Sequence, residues 1–200
     1  HVYDFSDFGD PNFSSVVYQT IICFYSLLSK TFFVNNNHRS KSVIMRLYLV
    51  QHGEAKSEQE DPERSLTEKG ISDIRKVANF LQHTGVSPNT IFYSSKKRAI
   101  QTAEILFDFL KPPDGMIQSD GLFPNDNPFV WVKKLESIDK DIMIVGHLPH
   151  LSRLTSILLC GDESRKIVEF KYGCVVCLKK EKDLYTLEWM IVSDFSFDSR

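Results

Sequence analysis

The chain has 200 residues, of which 42% are apolar and 25% charged, and its net charge is -2. That balance excludes a wholly disordered or collagen-like chain and shows no basic excess for binding nucleic acid. Four cysteines are too few for a disulfide framework, so a reducing compartment, the cytoplasm, is expected.

Residues 1–44 differ from the rest. They hold nine aromatic residues but only three Lys/Arg and three Asp/Glu. The uncharged stretch Pro11–Ser29 is nearly long enough to span a bilayer, but Ser, Gln, Thr and Asn interrupt it. Asp4, Asp7 and Asp10 stand where a signal peptide carries positive charge, whereas Lys30, Arg39 and Lys41 lie on the far side. The expectation is a poorly ordered extension without a part in the chemistry. Membrane contact would follow only if 13–29 served as a weak anchor. Asn35-Asn36-Asn37 reads as a linker, and the globular domain is expected over 45–200.

From Met45 the pattern is regular. Arg46–Val50 is a β-rich run. Residues 66–83 place Ile71, Ile74, Val77, Ala78 and Leu81 at helical spacing, with Ser65 and Glu68 as a capping box. Thr90–Tyr93 is a second strand, and 97–110 repeat the helical pattern. The Pro/Gly/Asp-rich stretch 111–128 reads as loop. Phe129, Val132 and Leu135 predict a short helix, Ile142–Val145 a buried strand, and 150–159 a further helix. Cys174–Leu178 and Leu184–Val192 flank a charged turn and read as a hairpin. Cys174 and Cys177, three apart on a strand, would face opposite ways, so no zinc or redox half-site is expected. Alternating βα units followed by a hairpin predict a three-layer α/β/α fold. Its sheet should be mostly parallel, with one antiparallel edge.

Open α/β sheets bind ligands at the carboxyl ends of their strands. After RLYLV comes Gln51-His52-Gly53, after TIFY comes Ser94-Ser95-Lys96-Lys97-Arg98, and after IMIV comes Gly146-His147. Two histidines and a cationic cluster therefore converge on one edge. Cations at a helix N-terminus oppose its dipole, a penalty that a bound anion reverses. One alternative is a metal pair, since His147 and His150 are three apart. However, no cluster of Cys or carboxylate completes a shell, and Pro149 interrupts the spacing. The other is nucleophilic chemistry, in which a neutral imidazole takes a phosphoryl group and divides one displacement into two. Neither a metal nor a cofactor is expected.

The segments LYLVQHGEA, RSLTEKG, SSKKRAIQTAEIL and IVGH, in this order and spacing, resemble the histidine phosphatase superfamily with its phosphoglycerate mutase-like fold. Within it the chain is most similar to the SixA-type phosphohistidine phosphatases, over residues 45–192. The resemblance implies His52 as the nucleophile and Arg98 as a ligand of the phosphoryl oxygens. It also implies His147 beside them and Arg64 as a further phosphate contact. Asp126 is the candidate general acid, with Asp120 and Glu54 behind it. The substrate implied is a protein carrying phosphohistidine, hydrolysed without a metal. A small phosphoester is the neighbouring alternative. The connection between the 97–110 helix and Ile142 is short for the superfamily, which implies a site open to a protein surface. One position departs from the pattern: Gln51 stands where the family motif has Arg. A lost charge-assisted contact costs about 1.5–3 kcal/mol, so a slower enzyme or a phosphate-binding pseudoenzyme is the competing expectation.

Overall fold

A computed structural model of the chain describes residues 44–193. The expectations for an N-terminal extension or anchor lie outside the described residues. All described elements belong to one unit, Ser42–Arg200. In chain order they are β1 (Ile44–Gln51), α1 (Glu68–His83), β2 (Thr90–Tyr93), α2 (Lys97–Leu110) and β3 (Met116–Gln118). Then follow α3 (Phe129–Glu136), β4 (Ile142–Gly146), α4 (His150–Cys160), β5 (Val175–Glu181) and β6 (Leu184–Ile191). No described helix is long and apolar enough to cross a membrane.

The strands form one sheet in the order β3-β2-β4-β1-β5-β6. The first four are mutually parallel, while β5 runs antiparallel to β1 and β6 antiparallel to β5. This is the expected mostly parallel sheet with an antiparallel edge hairpin.

Helices cover both faces of the sheet, and β1 shows why its sequence is apolar without a break over Leu47–Val50. Met45, Leu47 and Leu49 pack with Trp131 and Leu135 of α3 and Leu151 and Leu154 of α4. The intervening Tyr48 and Val50 pack with Ile74, Val77 and Leu81 of α1 and Ala99, Ala103 and Leu106 of α2. A strand buried on both faces loses the alternation of a half-exposed one. Cys174 and Cys177 fall into opposite cores, as their spacing predicts.

Two local expectations are corrected. The stretch 111–128 is not all loop, because Met116–Gln118 pairs parallel to Ile91–Tyr93 as β3. This strand has three residues, and Ile117 is 46% exposed, so it leaves no apolar signature. The capping box on Ser65 is also wrong. Ser65 accepts the Lys56 amide through its carbonyl, and Leu66 bridges Ala55, so the backbone is still extended there. The helix starts two residues later, with Thr67 as its cap. Its Oγ1 accepts the Gly70 amide at 2.9 Å.

Candidate active site

Strand register builds the site. Gln51 pairs with Gly146 across the parallel β1–β4 ladder, so the next residue of each strand, His52 and His147, emerges side by side. Their ring centroids lie 4.9 Å apart. β2 flanks β4 on its other side, and Ser94, which follows it, places its Oγ 2.9 Å from His147 Nε2. Arg98 enters from the first turn of α2 and is buried like both histidines. The cap of that helix, Lys96, makes no side-chain capping hydrogen bond, so the helix N-terminus faces the site without a protein acceptor of that kind.

Two hydrogen bonds fix the His52 tautomer. Arg98 Nε–H donates to His52 Nε2 at 3.1 Å, so Nε2 must carry the lone pair. The proton then sits on Nδ1, which donates to the Gly53 carbonyl at 2.7 Å. Burial pushes His52 down to about 4, helped by the positive charges of Arg98 and Arg64 and opposed by the Gly53 bond. Burial also pushes His147 down to about 3, with His52, Arg98, Lys96 and His150 adding to it. Both rings are therefore neutral at pH 7. Nε2 of His52 thus holds a lone pair directed at a guanidinium.

The motif residues around these side chains hold the loop that carries His52. Gly53 N–H donates to Thr102 Oγ1 at 3.1 Å, and that hydroxyl donates to the Arg98 carbonyl at 2.7 Å. Gln101 Oε1 accepts the Leu66 amide. On the other side, Gly173 N–H is shared by the carbonyls of Gln51 and His52, both at 3.1 Å. Gly70 allows α1 to approach, since a Cβ there would stand 2.2 Å from the Glu54 carbonyl oxygen.

The remaining expected residues divide. Arg64 is half-buried and its charge acts on both His52 and Arg98. It sits at φ 53°, in the left-handed region, with its amide on the Asp61 carbonyl and its Nε on the Lys56 carbonyl. Gln51 is only 6% exposed, and its Oε1 has no partner among the described residues. Asp126 is not brought to the histidine pair. Its Oδ2 accepts the Phe123 amide at 2.8 Å, closing its own turn, and the ring its charge acts on is that of His150. The Asp120 carbonyl accepts from Ser119 Oγ and Lys134 Nζ, and Glu54 Oε1 is taken by the Thr67 hydroxyl. No cluster of three or more His, Cys, Asp or Glu able to hold a metal occurs among the described residues.

Two residues were missed by sequence reasoning. Ser94 stood in the quoted segment directly after β2, so strand-end position was the available signal. Tyr172 lies 120 positions from His52 yet stacks near its ring, with centroids 5.6 Å apart. No local pattern announces it.

A desolvated neutral imidazole, a second one beside it, and converging cations at a helix N-terminus make a site suited to receiving a phosphoryl group. The chain belongs to the histidine phosphatase superfamily (branch 1), whose family model matches residues 47–122. An uncharacterized protein of Picosynechococcus sp. is 31% identical over 138 residues, covering 66% of this chain and 83% of that protein. Phosphohistidine phosphatase SixA of Escherichia coli is 26% identical over 123 residues, covering 59% and 76%. Among solved structures, protein histidine phosphatase SixA complexed with tungstate superposes with a TM-score of 0.68 at 22% identity, covering 74% of this chain and 97% of that one. A putative alpha-ribazole-5'-P phosphatase from Escherichia coli superposes at 0.62 and 20% identity, covering 74% and 98%. A phosphoglycerate mutase from Bacillus anthracis superposes at 0.58 and 15%, covering 78% and 96%. These likenesses establish the phosphoglycerate mutase-like fold.

Proposed function

We propose that the protein is a phosphatase that removes the phosphoryl group of protein phosphohistidine through a covalent intermediate on His52, without a metal ion. The observation that carries this reading is the locked tautomer: Nε2 of a buried neutral imidazole holds its lone pair toward Arg98. In the first step Arg98 releases its Nε–H bond to Nε2 and turns its donors to the phosphoryl oxygens, the freed Nε2 lone pair bonds to phosphorus, and the electron pair of the substrate's P–N bond returns to the departing imidazole. Arg98 and Arg64 hold the phosphoryl oxygens, and His147 flanks them. The Gly53 carbonyl then accepts Nδ1–H of a phosphoimidazole that carries more positive charge than the free ring. Water next attacks phosphorus, His52 leaves, and inorganic phosphate is released. A phosphoimidazole protonated on its other nitrogen departs as neutral imidazole, so this reaction needs no general acid and does not use Asp126.

Two features support a protein substrate. The relative with the SixA name acts, by that name, on phosphohistidine. The large apolar side chains Phe123 and Leu148 are exposed next to Lys96 and His147, respectively. Such exposure at the mouth of a polar site favours contact with another protein surface. The second reading, phosphate binding without turnover, is favoured by Gln51, whose buried Oε1 has no partner among the described residues and whose side chain carries no charge. The two are separated by turnover of a phosphorylated phosphocarrier domain by wild type, His52→Ala and Gln51→Arg, with and without a chelator. The proposal expects wild-type turnover that survives the chelator and vanishes in His52→Ala. Wild-type activity no greater than that of His52→Ala, with a large gain in Gln51→Arg alone, would establish the second reading.

A further inference from the structure

The ring of Tyr172 is the feature of the site that the reaction above leaves unused. It is 48% exposed, yet it is not loosely placed. Phe170 is buried in the core behind it, and Cys174 N–H donates to the Lys171 carbonyl. Gly173 N–H is shared by the Gln51 and His52 carbonyls, and the Tyr172 carbonyl accepts Ser193 Oγ at 2.8 Å. The segment is thus tied to the end of β1 directly after the tyrosine, through Gly173 N–H and through the Cys174 carbonyl, which accepts the Gln51 amide. A rigid backbone presents a large ring to solvent beside the nucleophile.

That ring is not needed to orient His52. Both nitrogens of His52 are already held, by Gly53 and by Arg98. Tyr172 lies 5.6 Å from His52, centroid to centroid, with 41° between the planes. Arg98 borders the same imidazole through its Nε–H bond to Nε2. The tyrosine ring and the guanidinium are thus both neighbours of the His52 imidazole. A half-exposed ring beside the imidazole is available to whatever group approaches that imidazole.

We propose that Tyr172 is a specificity-determining residue, and that its ring packs against the planar leaving group of the substrate, favouring phosphoimidazole and aryl phosphates over alkyl phosphates. The inference rests on the phosphatase reading above and names the leaving-group class for the same site. Offset or edge packing of two rings adds to simple burial, and a flexible alkyl chain gains only the burial part. Losing that increment is worth roughly a three- to tenfold change in kcat/KM.

The test compares full-length wild type, Tyr172→Phe and Tyr172→Ala on three small substrates: phosphoimidazole, p-nitrophenyl phosphate and glycerol phosphate. The expected result is a three- to tenfold loss of kcat/KM in Tyr172→Ala on the first two, with the third changed less than twofold. Tyr172→Phe is expected to match wild type on all three. An equal loss on all three would assign the ring a structural role and overturn the inference. A loss in Tyr172→Phe as large as in Tyr172→Ala would assign the effect to the hydroxyl and also overturn it. In both cases the phosphatase reading survives. Wild type inactive on every substrate would overturn both.

Discussion

His52 and His150 are both buried imidazoles, but the protein treats them in opposite ways. His52 has each nitrogen bonded, whereas His150 is fully buried with neither ring nitrogen partnered among the described residues. Burial holds His52 and His150 both near 4, with Arg98 and Arg64 assisting at His52 and Asp126 opposing at His150. Because the folded values lie below the ordinary histidine value, the unfolded chain binds more protons between about pH 4 and 6.5. Stability therefore falls as pH drops through that window, by at most about 1.4 kcal/mol per pH unit for each group. His150→Leu removes one such group together with its unpartnered nitrogens. It is expected to raise Tm at pH 7 and to flatten the loss of Tm between pH 7 and 5, as thermal melts at both values would show. A lower Tm at both would mean that His150 has a partner worth keeping. The same low value at His52 predicts that kcat/KM holds down to about pH 5 and declines only near 4, as the nucleophilic nitrogen protonates. A decline centred near 6.5 would remove the desolvated imidazole from the mechanism. Of these side chains, His52, Arg98 and His147 were legible because each follows a strand or opens a helix. Tyr172 was not, since ring contact across 120 residues has no local signature. That Asp126 closes its own turn was not legible either, because such a carboxylate looks, in sequence, like any loop acid.

At the scale of elements, α1 shows both what the sequence discloses and what it hides. Its apolar stripe is plain, and Ile74, Val77, Ala78 and Leu81 are all buried. Its start is not, because Ser65, Thr67 and Glu68 all suit a helix N-terminus. The choice among them is made by an extended pairing at Ala55 and Leu66, outside the helix. β3 is hidden for a related reason: parallel pairing to β2 makes it a strand, with little burial to mark it. The approach of α1 to the His52 loop gives a prediction whose sign opposes local propensity. Glycine inside a helix costs about 1 kcal/mol relative to alanine, so Gly70→Ala should stabilise if propensity decided. A Cβ there would meet the Glu54 carbonyl oxygen at 2.2 Å, with the Glu54 backbone nitrogen and carbonyl carbon at 3.0 Å. Backbone cannot step aside as a flexible side chain can. Gly70→Ala is therefore expected to lower Tm by several degrees and to cut kcat/KM, because Glu54 is two residues from His52. A neutral or raised Tm would show that the loop and helix part without cost.

Over the whole molecule, the chain is slightly acidic, yet its site is not. The net charge is -2, while the groups whose charge acts on the two site histidines include Arg98, Arg64 and Lys96. The topology creates this contrast. Parallel β1 and β4, with β2 outside them, deliver His52, His147 and Ser94 to one edge, and α2 opens there with its cations. A local positive field on an acidic body steers anions to one place and adds nothing to fold stability. Salt weakens such steering, because the Debye length falls from about 10 Å at 0.1 M to about 3 Å at 1 M. Raising sodium chloride across that range is therefore expected to lower kcat/KM for a phosphorylated protein severalfold while leaving kcat nearly unchanged. Lys96→Gln should reduce the slope, since that exposed ammonium, held 5.2 Å from the Phe123 ring centroid, stands at the rim rather than in contact with His52. A kcat/KM that does not respond to salt would show that encounter is governed by contact at the apolar rim, and kcat falling with kcat/KM would place the cations in the chemical step alone.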